Sequence, residues 1–162
     1  MLLNDFLRKM LLSDDNVKSY IIAKYINFFN KTFNEYLSHF NVNFGIIFDN
    51  VLNTKFIGGG YDELDYDNLS AGEEKAVDFA IMFTFDKLND IMDNTDYNIL
   101  IWDEILGGLD KKLTTIAFNI LKQKSLKKSV FVIEHNFDED YQVDQIWEVT
   151  KDRIKGSQLK II

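Results

Sequence analysis

Apolar residues in this chain recur first at the spacing of helices and later at the spacing of strands. From Met1 to about Phe40, Leu3, Phe6, Leu7 and Met10, then Ile21, Ile22, Tyr25, Ile26, Phe29 and Phe33, fall three or four positions apart, the repeat that lines up side chains on one helical face. Ser13-Asp14-Asp15-Asn16 separates the two stripes with cap-forming residues, so two helices are expected. Val42 to Phe48 and Thr54 to Ile57 read as strands, with Gly58-Gly59-Gly60 breaking the second. After the acidic run Tyr61 to Asp67, the residues Val77, Ala80, Ile81, Thr84, Leu88 and Ile91 form the stripe of a long helix. Asn98-Ile99-Leu100-Ile101-Trp102 is an apolar run without alternation, as expected of a strand buried on both faces. Leu113, Ile116, Ala117, Ile120 and Leu121 mark an amphipathic helix, and Val130 to Ile133 form a second continuous run. Strand, crossover helix, strand is a parallel βαβ unit. Gln145 to Val149 and Gln158 to Ile162 suggest a terminal hairpin.

Composition narrows this picture. With 162 residues, 46% of them hydrophobic, the chain supports one core and is expected to be a single domain, 1–162. No stretch approaches the roughly 20 apolar residues of a membrane span, and there is no secretory leader pattern, so no membrane partner is expected. The absence of cysteine excludes disulfides and thiolate metal sites and fits a cytoplasmic location. A formal charge of −8 argues against a uniformly basic nucleic-acid surface, because phosphate contacts come from Lys and Arg. Lys122, Lys124, Lys127 and Lys128, and the later scatter Lys151, Arg153, Lys155 and Lys160, read as solvated faces.

Candidate chemistry gathers in four places. Ser70 followed by Glu73 is, read locally, a capping box that opens the long helix, with Gly72 permitting close backbone approach at its first turn. The same helix N-terminus, with open N–H groups, a hydroxyl and a glycine, also suits an anion. Asp103 and Glu104 follow the first buried run directly. Two acids can simply begin a loop, yet at the carboxyl end of a parallel strand one can hold Mg²⁺ while its neighbour orients an attacking water. Gly107-Gly108-Leu109-Asp110 is a turn that makes Asp110 an N-cap. His135 ends the run Val130-Phe131-Val132-Ile133-Glu134 at the same sheet end, where an imidazole could reach a phosphate or a water. His39 stands apart from these groups and reads as structural.

In order and spacing, LSAGE, a helix, ILIWDE, GGLD and VFVIEHN resemble the signature, Walker B, D-loop and H-loop series of ABC ATPases. The helix before them and the closing hairpin extend the likeness over nearly the whole chain, to the C-terminal lobe of the SbcC-type, SMC-like members, phage versions included. That resemblance implies an α/β head lobe with a parallel sheet core and flanking helices. Residues 1–12 become the root of a returning coiled coil, 13–40 a helical segment and 41–162 the motif-bearing lobe. It gives Ser70, Ala71, Gly72 and Glu73 a role on ATP held by an opposing head, Asp103 a role on Mg²⁺, Glu104 on the hydrolytic water, Asp110 in the D-loop and His135 as the switch histidine. The chain departs from the common pattern at Ile105, where many ABC proteins have proline, and at Ala71, where glycine is frequent.

No Gly-x-x-x-x-Gly-Lys sequence ending in Ser or Thr occurs in the chain, so the cradle for the β- and γ-phosphates is missing. The family keeps that P-loop in an N-terminal lobe beyond the coiled coil. The chain is therefore expected to be a C-terminal fragment: an ATPase once joined to its P-loop lobe, inactive alone. The implied partners are that lobe, a second head in a homodimer, an SbcD-like nuclease subunit and DNA, in a repair and recombination exonuclease complex. Two other readings stand beside it: a chromosome-organising SMC lobe that binds a kleisin, and a free-standing lobe that binds a partner without hydrolysing ATP.

Overall fold

The computed structural model describes residues 14–60, 66–92, 98–106, 109–135, 141–152 and 156–162. The expected coil root, 1–12, lies outside them, as do Gly107, Gly108, Arg153 and Lys155. Helix α1 (Asp14–His39) leads into an antiparallel hairpin, β1 (Gly45–Phe48) and β2 (Thr54–Ile57). A 3-10 turn (Tyr66–Asn68) precedes helix α2 (Ala71–Met92). Strand β3 (Ile99–Asp103), helix α3 (Lys111–Ser125) and strand β4 (Ser129–Ile133) follow, β3 and β4 being parallel with Asp103 opposite Ile133. An antiparallel pair closes the chain, β5 (Trp147–Asp152) and β6 (Gly156–Ile161). None of the described helices is long and apolar enough to cross a membrane.

The core is aromatic and lies between α1 and α2. Phe29, Phe33 and Leu37 on α1 meet Phe79 and Phe83 on α2, and Trp102 of β3 stacks on Phe83 with ring centroids 4.6 Å apart. Each such ring removes enough apolar surface from water to contribute about 2–3 kcal/mol, so this seam dominates the stability of the described fold. Polar side chains complete it. Asn34 bonds both backbone groups of Ile46, receiving its N–H at 3.0 Å and donating to its carbonyl at 2.8 Å. Asn30 does the same for Phe48, at 2.9 and 2.8 Å. Two amides one turn apart thus stand in for a neighbouring strand and close the outer edge of β1, an edge that otherwise invites foreign pairing. The approach is close: a Cβ at Gly45 would meet Asn34 Oδ1 at 2.6 Å.

The structure corrects several expectations. The first strand begins at Gly45, not Val42, because α1 ends in a turn at Asn41, whose φ is 56°. Strand β3 is not buried on both faces. Trp102 is 4% exposed, but Ile99 and Ile101 are 55% and 62% exposed. On β4, Phe131, the register partner of Ile101, and Ile133, the partner of Asp103, share that open face. The described helices cover one side of the pair only. Ile21 and Ile91, read as stripe residues, are also exposed. Lys124 and Lys128 are not solvated: Lys124 pairs with Asp86, and Lys128 reaches Asp86 at 2.9 Å and Asp90 at 2.5 Å. Those charges brace α3 against α2 and are spent inside the fold.

Candidate functional site at the end of the parallel strands

The parallel pairing of β3 and β4 brings their carboxyl ends together. Glu104 continues the ladder by donating its N–H to Ile133 O at 2.9 Å. Its φ is 52°, a left-handed conformation that costs a non-glycine residue on the order of 1–3 kcal/mol and persists where the surroundings enforce it. The bend aims Glu104 Oε1 at His135 Nε2, 2.7 Å away. Both side chains are open to solvent, at 60% and 82% exposure. An exposed pair of this kind adds at most about 1 kcal/mol to stability, so its significance is chemical: a carboxylate and an imidazole held together where a reactant can arrive. Asp103 is exposed beside them, and among the described residues nothing hydrogen-bonds its carboxylate.

Leu106 anchors the segment that follows. Its side chain is buried, its N–H donates to Glu134 Oε1 at 2.6 Å, and its carbonyl accepts from Leu109 N at 3.2 Å. Glu134 was not among the predicted site residues. The available signal was a carboxylate set between an apolar strand and the predicted histidine. Asp110 then caps α3, accepting from Leu113 N at 2.7 Å, while Thr114 Oγ1 donates to its carbonyl at 2.8 Å.

The N-terminus of α2 carries the other group of predicted residues. The capping box forms: Glu73 Oε2 accepts from Ser70 N at 2.9 Å and from Ser70 Oγ at 2.6 Å. Leu69 is buried and fixes the approach, and Tyr66 O–H donates to Asp78 on α2 at 3.2 Å. Burial, together with the Asp78 charge, pushes the Tyr66 phenol up to about 12. Ser70, Ala71 and Gly72 are exposed. Among the described residues a Cβ at Gly72 would find only Leu113 Cδ1, at an ordinary 3.7 Å, so packing against them does not demand glycine there. That contact also sets the α2 N-terminus against the first turn of α3, next to the residue that Asp110 caps. His39, in the last turn of α1, is exposed rather than part of the core. It borders a cleft of about 410 Å³ among α1, α2 and α3, which none of the predicted site residues lines.

No family model matches the chain. Its curated relatives include exonuclease subunit 2 of Escherichia phage RB69, 29% identical over 132 residues, covering 82% of this chain and 23% of that protein. Exonuclease subunit 2 of Enterobacteria phage T4 is 29% identical over 143 residues, covering 87% and 25%. The chain thus spans about a quarter of the curated relatives it matches. Among solved structures, a chain from work on ATP-driven dimerization and DNA-stimulated activation of SMC ATPases superposes with a TM-score of 0.70 at 18% identity, covering 90% of this chain and 89% of that one. An Smc head bound to the C-winged helix domain of ScpA gives 0.69 at 18% identity, covering 96% and 50%. The SMC head domain from Thermotoga maritima gives 0.60 at 22%, covering 89% and 52%.

The fold is that of a lobe of an SMC-type ATPase head. The phage relatives narrow the class: sequence and fold together support a C-terminal SMC/SbcC-like ABC ATPase lobe in a phage version.

Proposed function

We propose that this chain is the C-terminal half of an ATP-hydrolysing head in a DNA double-strand-break repair and recombination exonuclease complex. The observation that carries the reading is the 2.7 Å contact of Glu104 with His135, two side chains on different strands brought to one sheet end directly after an apolar strand. Glu104 orients the attacking water and draws off its proton; His135 steadies that carboxylate and faces the phosphate being cleaved. Asp103, open to solvent beside them, fits Mg²⁺, a hard cation that uses one or two protein carboxylates together with substrate phosphates. When bound, the ion neutralises phosphate charge. Ser70, Ala71, Gly72 and Glu73 offer the open end of α2 to the γ-phosphate of ATP on a second head, with Asp110 near that junction.

The P-loop lobe is the partner proposed to pack on the open face of β3 and β4. The coil root belongs to 1–12, and the nuclease subunit, DNA and an intracellular site of action in a bacterial host complete the proposal. The 29% identity to phage exonuclease subunits favours this reading. A kleisin-binding SMC lobe is the second reading, favoured by the fold likeness to an Smc head that binds ScpA. Upstream sequence separates them, since a zinc hook marks the first and a hinge domain the second.

The test is turnover. The lobe alone is expected to leave ATP intact, and joining it to a matching P-loop lobe to yield Mg²⁺-dependent hydrolysis. In the joined head, Glu104→Gln lowers hydrolysis roughly 100-fold or more while preserving ATP-driven pairing of heads. Ser70→Arg blocks pairing instead. Parental turnover by Glu104→Gln would remove Glu104 from the chemistry.

A further inference from the structure

We propose that Glu134 is a positioning residue for the segment that bears Glu104, a role that rests on the hydrolysis reading above. Three successive residues at the end of β4 hold that segment. Ile133 O accepts from Glu104 N at 2.9 Å, Glu134 Oε1 accepts from Leu106 N at 2.6 Å, and His135 Nε2 meets Glu104 Oε1 at 2.7 Å. The first is ordinary strand pairing and the third belongs to the reacting groups. Glu134 alone of the three reaches past Glu104 with a side chain and fixes the backbone beyond it.

The reason such a hold is needed is the left-handed backbone of Glu104, φ 52°. A bulky residue relaxes from that region unless the chain on both sides is pinned. On one side β3 is pinned by its ladder with β4. On the other, Leu106 is pinned by burial, by Leu109 and by Glu134. A carboxylate suits the task because it only accepts, and a charge-assisted bond from a backbone N–H is short and strong. Without it, Glu104 keeps its identity but loses its aim at His135. The same bond fixes the start of the stretch that leads to Asp110, so both groups depend on it.

The experiment follows amide exchange at Leu106 together with ATP turnover in the full protein as encoded, comparing Glu134→Ala, Glu134→Asp and Glu134→Gln with the parent. Ala removes the acceptor and Asp shortens it by one methylene; both are expected to speed Leu106 exchange roughly 10- to 100-fold, the worth of one charge-assisted bond. They lower kcat by a similar factor and leave KM for ATP unchanged, because the phosphate cradle lies in another segment. Gln, whose neutral amide oxygen can accept the same N–H without the charge, is expected between the parent and Ala, roughly 3- to 10-fold from the parent on both readouts and clearly less impaired than Ala. Should Ala fail to fold, the contrast of Asp with Gln decides. Parental exchange in Asp or Ala overturns the proposal whether or not the protein hydrolyses ATP, and so does a Gln variant as impaired as Ala. Faster exchange with parental kcat also overturns it, provided that Glu104→Gln is inactive; if Glu104→Gln is fully active, it is the hydrolysis reading that fails, and Leu106 exchange still decides whether Glu134 holds the segment.

Discussion

The α1 and hairpin side of the molecule and the β3, α3, β4 side solve the same problem differently. On the first side, Ile46 and Phe56 face the aromatic seam, and the exposed edge of β1 is closed by Asn30 and Asn34 from the same chain. On the second, Trp102 faces the seam, while Ile99, Ile101, Phe131 and Ile133 form an apolar face that stays largely open among the described residues, Trp147 of β5 meeting Phe131 edge-on with ring centroids 5.9 Å apart. Contiguous exposed apolar surface of this kind marks a place for a partner. The site residues sit at the end of the uncovered side. Among the described residues, one half of the lobe closes its own edge, and the half that bears the candidate site leaves an apolar face open, which is the face proposed for the P-loop lobe.

The sharpest way to break this contrast is to reopen the edge that the chain closes for itself. Asn34→Ala leaves the N–H and carbonyl of Ile46 without partners beside a buried side chain, at about 1–3 kcal/mol for each group. A total loss of about 3 kcal/mol is expected, read from urea unfolding. A loss below about 1 kcal/mol would show that water replaces the amide and that the first side does not depend on its own side chains to close the edge.

The second prediction tests the brace between the two sides. Asp86 on α2 holds Lys124 and Lys128 of the α3 end, with side chains only 12–13% exposed. Burial raises the Asp86 carboxyl, but the bonds and charges of the two lysines outweigh it, and the net position is below its ordinary 3.8. Burial lowers Lys128, and Asp90 and Asp86 more than offset this, leaving it above its ordinary 10.5. The signs then fix a window. The depressed carboxyl contributes stability that is present above 3.8 and fades as pH falls through its folded value. The raised ammonium contributes stability that is present below 10.5 and fades as pH rises through its folded value. Asp86→Ala is expected to cost about 2 kcal/mol, a difference from the parent that stays flat from about pH 5 to 9 and shrinks outside it. A flat difference down to pH 2 would mean that packing, not charge, carries the brace.

What the sequence made legible follows the same division. Elements with strong periodicity could be read, because Val77, Ala80, Thr84 and Leu88, and likewise Leu113, Ala117, Ile120 and Leu121, are buried on one helical face in the chain itself. The Ser70 with Glu73 box and the Asp110 cap could be read because capping is local, set by three or four residues. Glu104 and His135 could be placed at one end because a βαβ unit makes its two strands parallel and so brings both carboxyl ends to one sheet edge. The lysine brace and the asparagine ladder were not legible. Both join residues far apart in sequence, and a lysine in the chain gives no sign of whether its aspartate is near. Nor could the open face be seen in advance. Ile99 and Ile101 carry the pattern of a covered strand, and the pattern reports that a cover is wanted, not whether the described residues supply it.

Ile101→Glu separates those two meanings. In a strand covered on both faces by its own chain, a buried and unpaired carboxylate would unfold the domain. Here Ile101 is 62% exposed on the bare face of β3, so the charge stays in water and the lobe is expected to change by no more than about 0.5 kcal/mol, the usual range for a surface site. The consequence appears only on assembly. If a P-loop lobe covers this face, the same carboxylate becomes desolvated at the junction, and pairing with that lobe should weaken by on the order of 2–3 kcal/mol, roughly 30- to 150-fold in affinity. Unfolding curves of the lobe and titration of the P-loop lobe against parent and variant measure the two effects separately. A large stability loss in the lobe alone would place the cover inside this chain. Unchanged pairing would leave the apolar face to a different partner.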